Sequence, residues 1–265
     1  MTSDPIPSDI TEALARASER LGPFGSRVSW HEETTSTNSL AAILAEGDAD
    51  EGWVIAANSQ SAGRGRLGRT WASPAGAGLY VSTILRPPFD VVPLITIAAG
   101  VAIAQGVEAS SGLNACVKWP NDVYVGARKL AGILAEAGMT GPGVEYVILG
   151  FGINLRTASY PPDVSTRATS IEQELGRPPD RGLVLAECLA ALAEHYAALR
   201  RGDTHSVTSA WRTRAAESFR RQVEWDIEGT TRRGIAQDID AHGALIVRVN
   251  EDLGRVIAGE VRWLP

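Results

Sequence analysis

The chain has 265 residues, a formal net charge of -6, 44% hydrophobic residues and 21% charged residues. These values lie near the averages for soluble globular proteins, so they exclude disordered and fibrous classes. The length suits one large domain, or a domain of about 200 residues with a small appendage. The negative charge argues against a general nucleic-acid binder, which needs a basic face to neutralise phosphates, but leaves a local basic patch open.

The N-terminus and the cysteines predict a cytoplasmic protein. Residues 1–5 lack the basic and then apolar run of a signal peptide. The longest apolar stretch, Leu94 to Ala104, is too short to cross a bilayer, so we expect no membrane partner. Cys116 and Cys188 lack the spacing of metal ligands, and we expect both to be buried and reduced.

The first half of the chain predicts alternating helices and strands. Helices are expected at Thr11 to Leu21, which Gly22-Pro23 ends, and after the N-cap residue types Ser36-Thr37-Asn38. Strands are expected at Arg27 to Thr34, Gly52 to Asn58 and Leu79 to Arg86, followed by an apolar helix over residues 92–110.

The second half predicts a β-meander, two helices and a separate β-unit. The meander covers Cys116 to Trp119, Asp122 to Val125, Leu130 to Ala137 and Val144 to Leu149, with Gly138 to Gly143 as a separator. Helices follow at residues 183–200 and 206–216. Beyond a boundary near Ala216 to Arg220, short alternating segments predict an antiparallel unit. We therefore divide the chain into domains 1–217 and 218–265.

The stretch GRGRLGR, residues 63–69, has the glycine spacing G-x-G-x-x-G of a dinucleotide-binding fingerprint. That fingerprint must open a helix, because the helix N-terminus binds the pyrophosphate. Here RTWASPAG follows, which cannot continue as a helix, and the acidic residue expected about 20 positions on has only Asp90 as a candidate, beyond two prolines. We therefore reject a nicotinamide-binding site.

Arginines in this loop suit the binding of an anion. Arg64, Arg66 and Arg69 supply forked donors for phosphate or carboxylate, on a backbone that glycine keeps mobile and accessible. A solvated basic loop explains the same residues without a ligand, and the loop alone does not decide between the two.

Two further clusters carry polar residues between apolar strands. In KWPNDV, residues 118–123, turn propensity explains Pro120, Asn121 and Asp122 but does not explain Lys118. In KLAGIL, residues 129–134, Lys129 starts an apolar strand, and Gly132 leaves room for a close approach to the backbone. A strand-end lysine that reaches out to water is the simpler interpretation of Lys129 alone.

Taken together and in order, STN at 36–38, GRGRLGR, KWPND, KLAGIL and GFGINL at 150–155 resemble the biotin protein ligases, in their short single-function form. The resemblance runs from about Trp30 to the C-terminus. It implies an α+β fold with a mixed, largely antiparallel sheet flanked by helices, like that of class II aminoacyl-tRNA synthetases. It also implies a small C-terminal β-barrel domain.

The resemblance implies ATP- and magnesium-dependent formation of biotinyl-5′-AMP, and then transfer of biotin to a lysine in the biotin carboxyl carrier domain of acyl-CoA carboxylases. Implied catalytic residues are Arg64, Arg66, Lys129 and Asp122. Implied biotin-binding residues are Ser36, Thr37, Asn38, Gln60, Gly63, Arg64, Trp71, Lys129, Gly132, Leu134, Gly152 and Ile153. Implied ATP-binding residues are Arg66, Arg69, Trp71, Lys118, Asn121, Asp122, Lys129 and Asn154, with Asn121 and Asp122 on the magnesium side.

Elementary chemistry agrees with these roles. A carboxylate that attacks a triphosphate brings like charges together, at a cost of about 1 kcal/mol at 4 Å in water and about 4 kcal/mol in a partly dry site. Fixed cations offset that repulsion without any proton transfer. The acyl-adenylate is sensitive to water, so we expect the loop at 63–69 to act as a lid.

The chain departs from the family pattern at both ends. Only 29 residues precede Trp30, fewer than a DNA-binding domain of about 50 residues needs, so we expect no DNA partner. At the C-terminus, Leu264 and Pro265 stand where several relatives place an arginine.

Two alternative functions stay open at this point. A lipoate ligase shares the fold and the adenylation chemistry, and pyrophosphate release with each acid would distinguish the two. A non-catalytic nucleic-acid-binding module could use the arginines on phosphates, and salt-dependent oligonucleotide binding without a response to biotin would support it.

Overall fold

The structure is a computed structural model that describes residues 3–140, 143–157, 164, 166–227 and 229–264. Two predictions fall partly outside the described residues: the separator between the last two strands of the meander includes Gly141 and Pro142, and the C-terminal departure from the family pattern includes Pro265. The described chain forms two β-sheets with helices packed on the larger one. The predicted α+β class is confirmed.

A seven-stranded mixed sheet forms the centre of the larger unit. Its strands run in the order β1-β2-β3-β7-β6-β5-β4, and only β1 and β2 pair in parallel. The strands are β1 Val28–His31, β2 Val54–Ala57, β3 Gly78–Leu85, β4 Ala115–Lys118, β5 Asp122–Val125, β6 Arg128–Thr140 and β7 Gly143–Asn154. The predicted meander corresponds to β4 through β7.

Helices cover both faces of this sheet. They are α1 Ser8–Ala17, α2 Thr37–Glu46, α3 Ile95–Ser111, α4 Ile171–Leu175, α5 Arg181–Arg200 and α6 Thr204–Arg214. The main core lies between the sheet and α1, α3, α5 and α6, whereas α2 covers Ile55, Ile84 and Ile148 on the other face. Helix α1 belongs to this core through Ile10, which is fully buried.

Several predicted boundaries were wrong. Strand β6 continues through Gly138 to Thr140, and β7 begins at Gly143 and includes Gly150 to Asn154. Gly138 does not break the strand, because its missing side chain leaves room for the ring of Tyr146, whose Cζ lies 2.2 Å from the position of a Cβ. The first helix begins at Ser8 and ends at Ala17, where a 3-10 turn follows.

Two helical segments, Phe89–Ser111 and Arg181–Arg200, are long and apolar enough to cross a membrane by length and composition. In each, 72% of the apolar window is buried inside the protein. Helices α3 and α5 pack on each other, and a Cβ on Gly106 would lie 2.5 Å from the backbone nitrogen of Cys188. Their apolar composition is therefore that of core helices.

The C-terminal unit is a five-stranded antiparallel sheet in the order β11-β10-β9-β8-β12. Its strands are β8 Gln222–Ile227, β9 Thr230–Ile239, β10 Leu245–Val249, β11 Asp252–Val256 and β12 Val261–Trp263. The predicted small β-domain is confirmed. The boundary at 217/218 stays a prediction, and it falls in the 3-10 turn Ala216–Ser218.

Hydrogen bonds join the two units. Trp119 Nε1 donates to the Gly243 carbonyl at 2.9 Å, and Trp263 Nε1 donates to the Trp119 carbonyl at 3.2 Å. On the helical side, Arg212 Nε donates to Asp238 Oδ1 at 2.6 Å. The C-terminal sheet thus contacts the turn that carries the KWPND residues.

We expect the substitution Gly106→Ala to destabilise the protein by about 1–3 kcal/mol, because the added methyl group meets the backbone of α5 rather than a flexible side chain. A lower melting temperature in differential scanning calorimetry checks this. Gly100→Ala on the same helix is the control, since its Cβ would meet Val117 at an ordinary 3.7 Å. Equal melting temperatures for the two variants would contradict the packing described here.

Candidate active site

Two paired glycines lie on the α2 side of the sheet between a polar cluster and Lys129, and we call this strip of the sheet face the groove. Gly132 of β6 lies opposite Gly152 of β7. A Cβ on Gly152 would lie 2.4 Å from Trp71 Nε1, and one on Gly132 would lie 2.9 Å from Trp71 Cζ3. The indole therefore rests directly on the glycines. Its buried Nε1 makes no hydrogen bond with any residue that the structure describes.

Buried polar side chains form one end of the groove. Asn38 of α2 lies against Gly150 of β7, one step along the same face from Gly152. The Thr37 backbone N–H donates to Gln60 Oε1 at 2.9 Å, and Gln60 Nε2 donates to Ser73 Oγ at 2.9 Å. Gln60 therefore accepts a hydrogen bond from the first backbone N–H of α2. The side chain of the N-cap residue Ser36 makes no capping hydrogen bond.

A lysine and a carboxylate form the other end. Lys129 Nζ lies 2.6 Å from Asp122 Oδ1 and 5.4 Å from the centre of the Trp71 ring. The Lys129 backbone N–H donates to the Arg167 carbonyl at 2.8 Å, and its carbonyl accepts from the Thr169 N–H at 2.9 Å. These hydrogen bonds fix the backbone of Lys129, while its ammonium group faces Asp122 and the groove.

The segment around Thr169 was not predicted as part of the site. Asn154 Nδ2 donates to the Thr169 carbonyl at 2.9 Å. The Thr169 hydroxyl donates to Glu174 Oε1 at 2.5 Å, and Arg128 donates to the same oxygen at 2.7 Å. The amide of Asn154 therefore holds this segment at the end of β7, next to Lys129.

The Gly-Arg loop, residues 63–69, is attached to the C-terminal sheet. Arg66 donates to Asn121 Oδ1 at 3.2 Å and to the Gly259 carbonyl at 3.1 Å. Arg69 pairs with Glu260 at 2.5 Å. Burial lowers the pKa of the Arg66 guanidinium, whereas the hydrogen bond to Glu260 raises the pKa of Arg69. The C-terminal sheet thus holds two arginines beside the KWPND turn.

Packing and backbone geometry limit the shape of this loop. A Cβ on Gly63 would lie 2.4 Å from the Trp71 carbonyl oxygen, so the close approach of these two segments requires glycine. Leu67 has a positive φ of 56° and is 68% exposed. Together with Ile257 and Pro93 it lines a cavity of about 340 Å³ between the loop, the start of α3 and the C-terminal sheet.

Arg64 does not lie beside Lys129. Its guanidinium pairs with Glu136 of β6 at 2.9 Å. Glu136 is four residues beyond Gly132, or about 13 Å of extended chain. Arg64 is therefore at the polar end of the groove, among residues implied to bind biotin, although it was implied to be catalytic as well.

The side chain of Ile153 points away from the groove, whereas Lys118 lies next to Asp122 in the same row of paired residues across the sheet. Lys118 Nζ lies 4.6 Å from the centre of the Tyr124 ring and 5.5 Å from that of Trp263. Burial lowers the pKa of Lys118 and raises that of Tyr124 to about 12. The fully buried side chain of Ile153 belongs to the main core, because it alternates with Gly152 along β7.

The structure thus brings most predicted residues to one groove and its surroundings. It places together Ser36, Thr37, Asn38, Gln60, Gly63, Trp71, Lys129, Asp122, Gly132, Gly152 and Asn154, with Arg66, Arg69 and Asn121 on the adjoining loop and turn, and Leu134 beside the cavity. Sequence reasoning missed Ser73, Ser82 and Glu136. A buried serine within the apolar strand Leu79 to Leu85 was the signal for Ser82.

Comparisons with known proteins show the family of this chain. The model of the biotin/lipoate A/B protein ligase family matches residues 30–154, and that of the biotin protein ligase C-terminal domain matches residues 221–262. A biotin–[acetyl-CoA-carboxylase] ligase from Paracoccus denitrificans is 36% identical over 223 residues, which cover 81% of this chain and 91% of that protein. The ligase of the same name from Mycobacterium tuberculosis is 35% identical, with 86% of each chain covered.

Longer relatives and solved structures give the same result. The bifunctional ligase/repressor BirA of Bacillus subtilis is 32% identical over 262 residues, which cover 96% of this chain and 79% of that protein. The structure of biotin protein ligase from Aquifex aeolicus in complex with biotin and ATP has a TM-score of 0.76 at 26% identity, and covers 90% of this chain and 99% of that one. The chain therefore belongs to the biotin/lipoate protein ligase family, among its biotin protein ligases.

We expect Glu260→Gln to open the Gly-Arg loop, because Arg69 loses its ion pair with the C-terminal sheet. The pair is largely exposed, so trypsin cleavage after Arg64, Arg66 or Arg69 should accelerate only about two- to fivefold. Mass spectrometry of early digests measures this rate. Glu251→Gln, an exposed change in the turn between β10 and β11, is the control. Equal cleavage of both variants would contradict an attached loop.

Proposed function

We propose that this protein is a biotin–[acetyl-CoA-carboxylase] ligase of the cytoplasm. The biotin carboxylate attacks the α-phosphorus of ATP, pyrophosphate leaves, and biotinyl-5′-AMP forms. The amine of an acceptor lysine in a biotin carboxyl carrier domain then attacks the acyl carbon, and AMP leaves. The single observation that carries the proposal is a groove with buried, uncharged polar side chains next to the Arg64–Glu136 ion pair at one end, an apolar middle and Lys129 at the other end.

The groove matches biotin in the order of its chemical groups. The buried hydroxyls and amides around Thr37 suit a neutral urea, which both donates and accepts hydrogen bonds. Glycine backbone and the Trp71 indole suit the apolar bicyclic ring and chain. Lys129 suits the carboxylate. Lipoic acid has an acid and an apolar ring but no urea, so the polar end favours biotin.

Lys129 and the two loop arginines supply the charge that activation needs. Two anions at 4 Å repel each other by about 4 kcal/mol in a partly dry site, and fixed cations offset this repulsion as negative charge builds at phosphorus. Arg66 and Arg69 reach the nucleotide side from the loop, beside Asn121. Arg64 binds at the urea end and takes no part in phosphoryl chemistry.

Asp122 has two proposed tasks besides contributing an oxygen to magnesium. Its ion pair with Lys129 keeps the ammonium at the groove until a substrate carboxylate arrives. Once Lys129 has turned to that carboxylate, Asp122 accepts the proton that the acceptor amine loses. The loop at 63–69 covers the adenylate in the meantime and excludes water.

The donor set at the KWPND turn fits magnesium only together with the nucleotide. No cluster of three or more His, Cys, Asp or Glu side chains occurs among the described residues. Asp122 and the Asn121 carboxamide are two oxygen donors, which suits a magnesium ion held largely by phosphates and water. Bound there, magnesium would neutralise the triphosphate and so make the pyrophosphate a better leaving group.

The direct test is pyrophosphate release by the full chain with ATP, magnesium and either biotin or lipoic acid, followed by mass spectrometry of a purified carrier domain. We expect release with biotin alone, and a mass gain on one acceptor lysine. Release with lipoic acid but not with biotin would replace the proposal with a lipoate ligase.

We expect Lys129→Ala to lower kcat for biotinyl-adenylate formation by about 100- to 1,000-fold, as does the loss of one fixed donor to developing charge in other enzymes. Lys129→Arg keeps the positive charge and should retain part of the rate. Rapid-quench measurement of the adenylate checks both variants. An alanine variant with the kcat of the wild type would exclude Lys129 from the chemical step.

A further inference from the structure

Glu136 lies at the polar end of the groove and belongs to none of the predicted site residues. Its Oε2 accepts a hydrogen bond from Asn38 Nδ2 at 2.7 Å and pairs with Arg64 at 2.9 Å. An exposed ion pair alone contributes little to stability. Asn38, however, is only 5% exposed, so this carboxylate also binds a buried amide.

Asn38 continues into a chain of buried hydroxyls. The Ser82 Oγ lies 2.6 Å from Asn38 Oδ1 and 2.7 Å from Thr37 Oγ1. Ser82 is fully buried and Thr37 is 3% exposed. Thr37 Oγ1 also lies 3.2 Å from Gln60 Oε1, which already accepts the Thr37 backbone N–H at 2.9 Å. Glu136 and Gln60 thus lie at opposite ends of one hydrogen-bonded chain.

The charge of Glu136 sets the direction of this chain. An ionised carboxylate can only accept, so the amide of Asn38 must turn its NH₂ group toward Glu136 and its Oδ1 toward Ser82. The single hydrogen of Ser82 therefore goes to Asn38. The short contact between the two hydroxyl oxygens then requires Thr37 to donate to Ser82 rather than to the more distant Gln60.

This direction determines what Thr37 can offer a ligand. Its only hydroxyl hydrogen is used by Ser82, so its oxygen presents lone pairs and can only accept from a substrate. If the chain ran the other way, Ser82 would donate to Thr37, and the Thr37 hydroxyl would meet a urea N–H as a donor. Hydrogen bonds in such a chain also polarise one another, which makes the acceptor stronger.

We propose that Glu136 is a positioning residue that fixes the hydrogen-bond direction through Asn38 and Ser82, so that the Thr37 oxygen accepts a hydrogen bond from a urea N–H of biotin. The proposal rests on the proposed function and adds a determinant of biotin specificity to it. Glu136 acts from about 13 Å along β6 from Gly132, and therefore on biotin binding rather than on the chemical step.

The test measures the biotin Kd by calorimetry, and the biotin KM and kcat of adenylate formation, for Glu136→Ala and Glu136→Gln. We expect Glu136→Ala to raise the Kd and the KM about five- to tenfold, the effect of one misdirected hydrogen bond, with kcat and the ATP KM within twofold of the wild type. Glu136→Gln keeps the shape and can still accept, so its effect should be smaller. Glu145→Gln on β7 is the control for the loss of a surface carboxylate.

Glu136 could act through Thr37 or through its ion pair with Arg64. Measuring the effect of Glu136→Ala in two variant proteins, Thr37→Val and Arg64→Gln, distinguishes these two routes. In Thr37→Val, which lacks the hydroxyl, Glu136→Ala should change the biotin Kd less than twofold. In Arg64→Gln, its full effect should persist. An effect that persists in Thr37→Val but vanishes in Arg64→Gln would overturn the proposal in favour of the ion pair.

Other outcomes are also decisive. An unchanged biotin Kd in a folded Glu136→Ala variant, judged by its melting temperature, overturns the inference while wild-type adenylate formation leaves the proposed function in place. If Glu136→Ala does not fold, the Kd of Glu136→Gln decides, and a value equal to that of the wild type overturns the inference. A wild-type protein that forms no adenylate with biotin overturns both.

Discussion

The contact between the Trp71 indole and the paired glycines of β6 and β7 determines where this protein can hold a substrate. Any side chain at Gly132 or Gly152 would occupy the position of the indole. The rest of that sheet face is either covered by α2 over Ile84 and Ile148 or occupied by buried polar groups. Among the described residues, glycine backbone covered by the Trp71 indole therefore lies between the polar cluster and Lys129, where the groove lies.

Charge is divided between the two ends of the groove. Lys129 and Asp122 form one end, with Arg66 and Arg69 beside them on the loop, whereas Arg64 and Glu136 form the other. The loop joins both ends, and its contacts with Gly259 and Glu260 make the C-terminal sheet part of the site's support. The buried hydroxyls and amides beside Glu136 suit a neutral head and Lys129 suits an anionic tail, which favours one orientation of the substrate.

The sequence predicted the fold class, the meander and most of the residues around the groove. The motifs that contain glycine and lysine can be identified from the spacing of their residues alone. The sequence could not predict that Gly132 and Gly152 face each other, since strand register depends on tertiary packing. Nor could it predict the partner of the Arg64 side chain, which was implied to be both biotin-binding and catalytic and which pairs with Glu136. Glu136 itself looked like an ordinary solvent-facing residue of an alternating strand, and only the Asn38 contact distinguishes it.

The orientation of the substrate is the central claim, and a crystal structure of the full chain with biotin and a non-hydrolysable ATP analogue tests it most directly. We expect the biotin carboxylate to lie within hydrogen-bonding distance of Lys129 Nζ, and a urea nitrogen to lie within hydrogen-bonding distance of Thr37 Oγ1. Biotin bound in the opposite direction, with its carboxylate at Arg64, or biotin bound outside the groove, would contradict it.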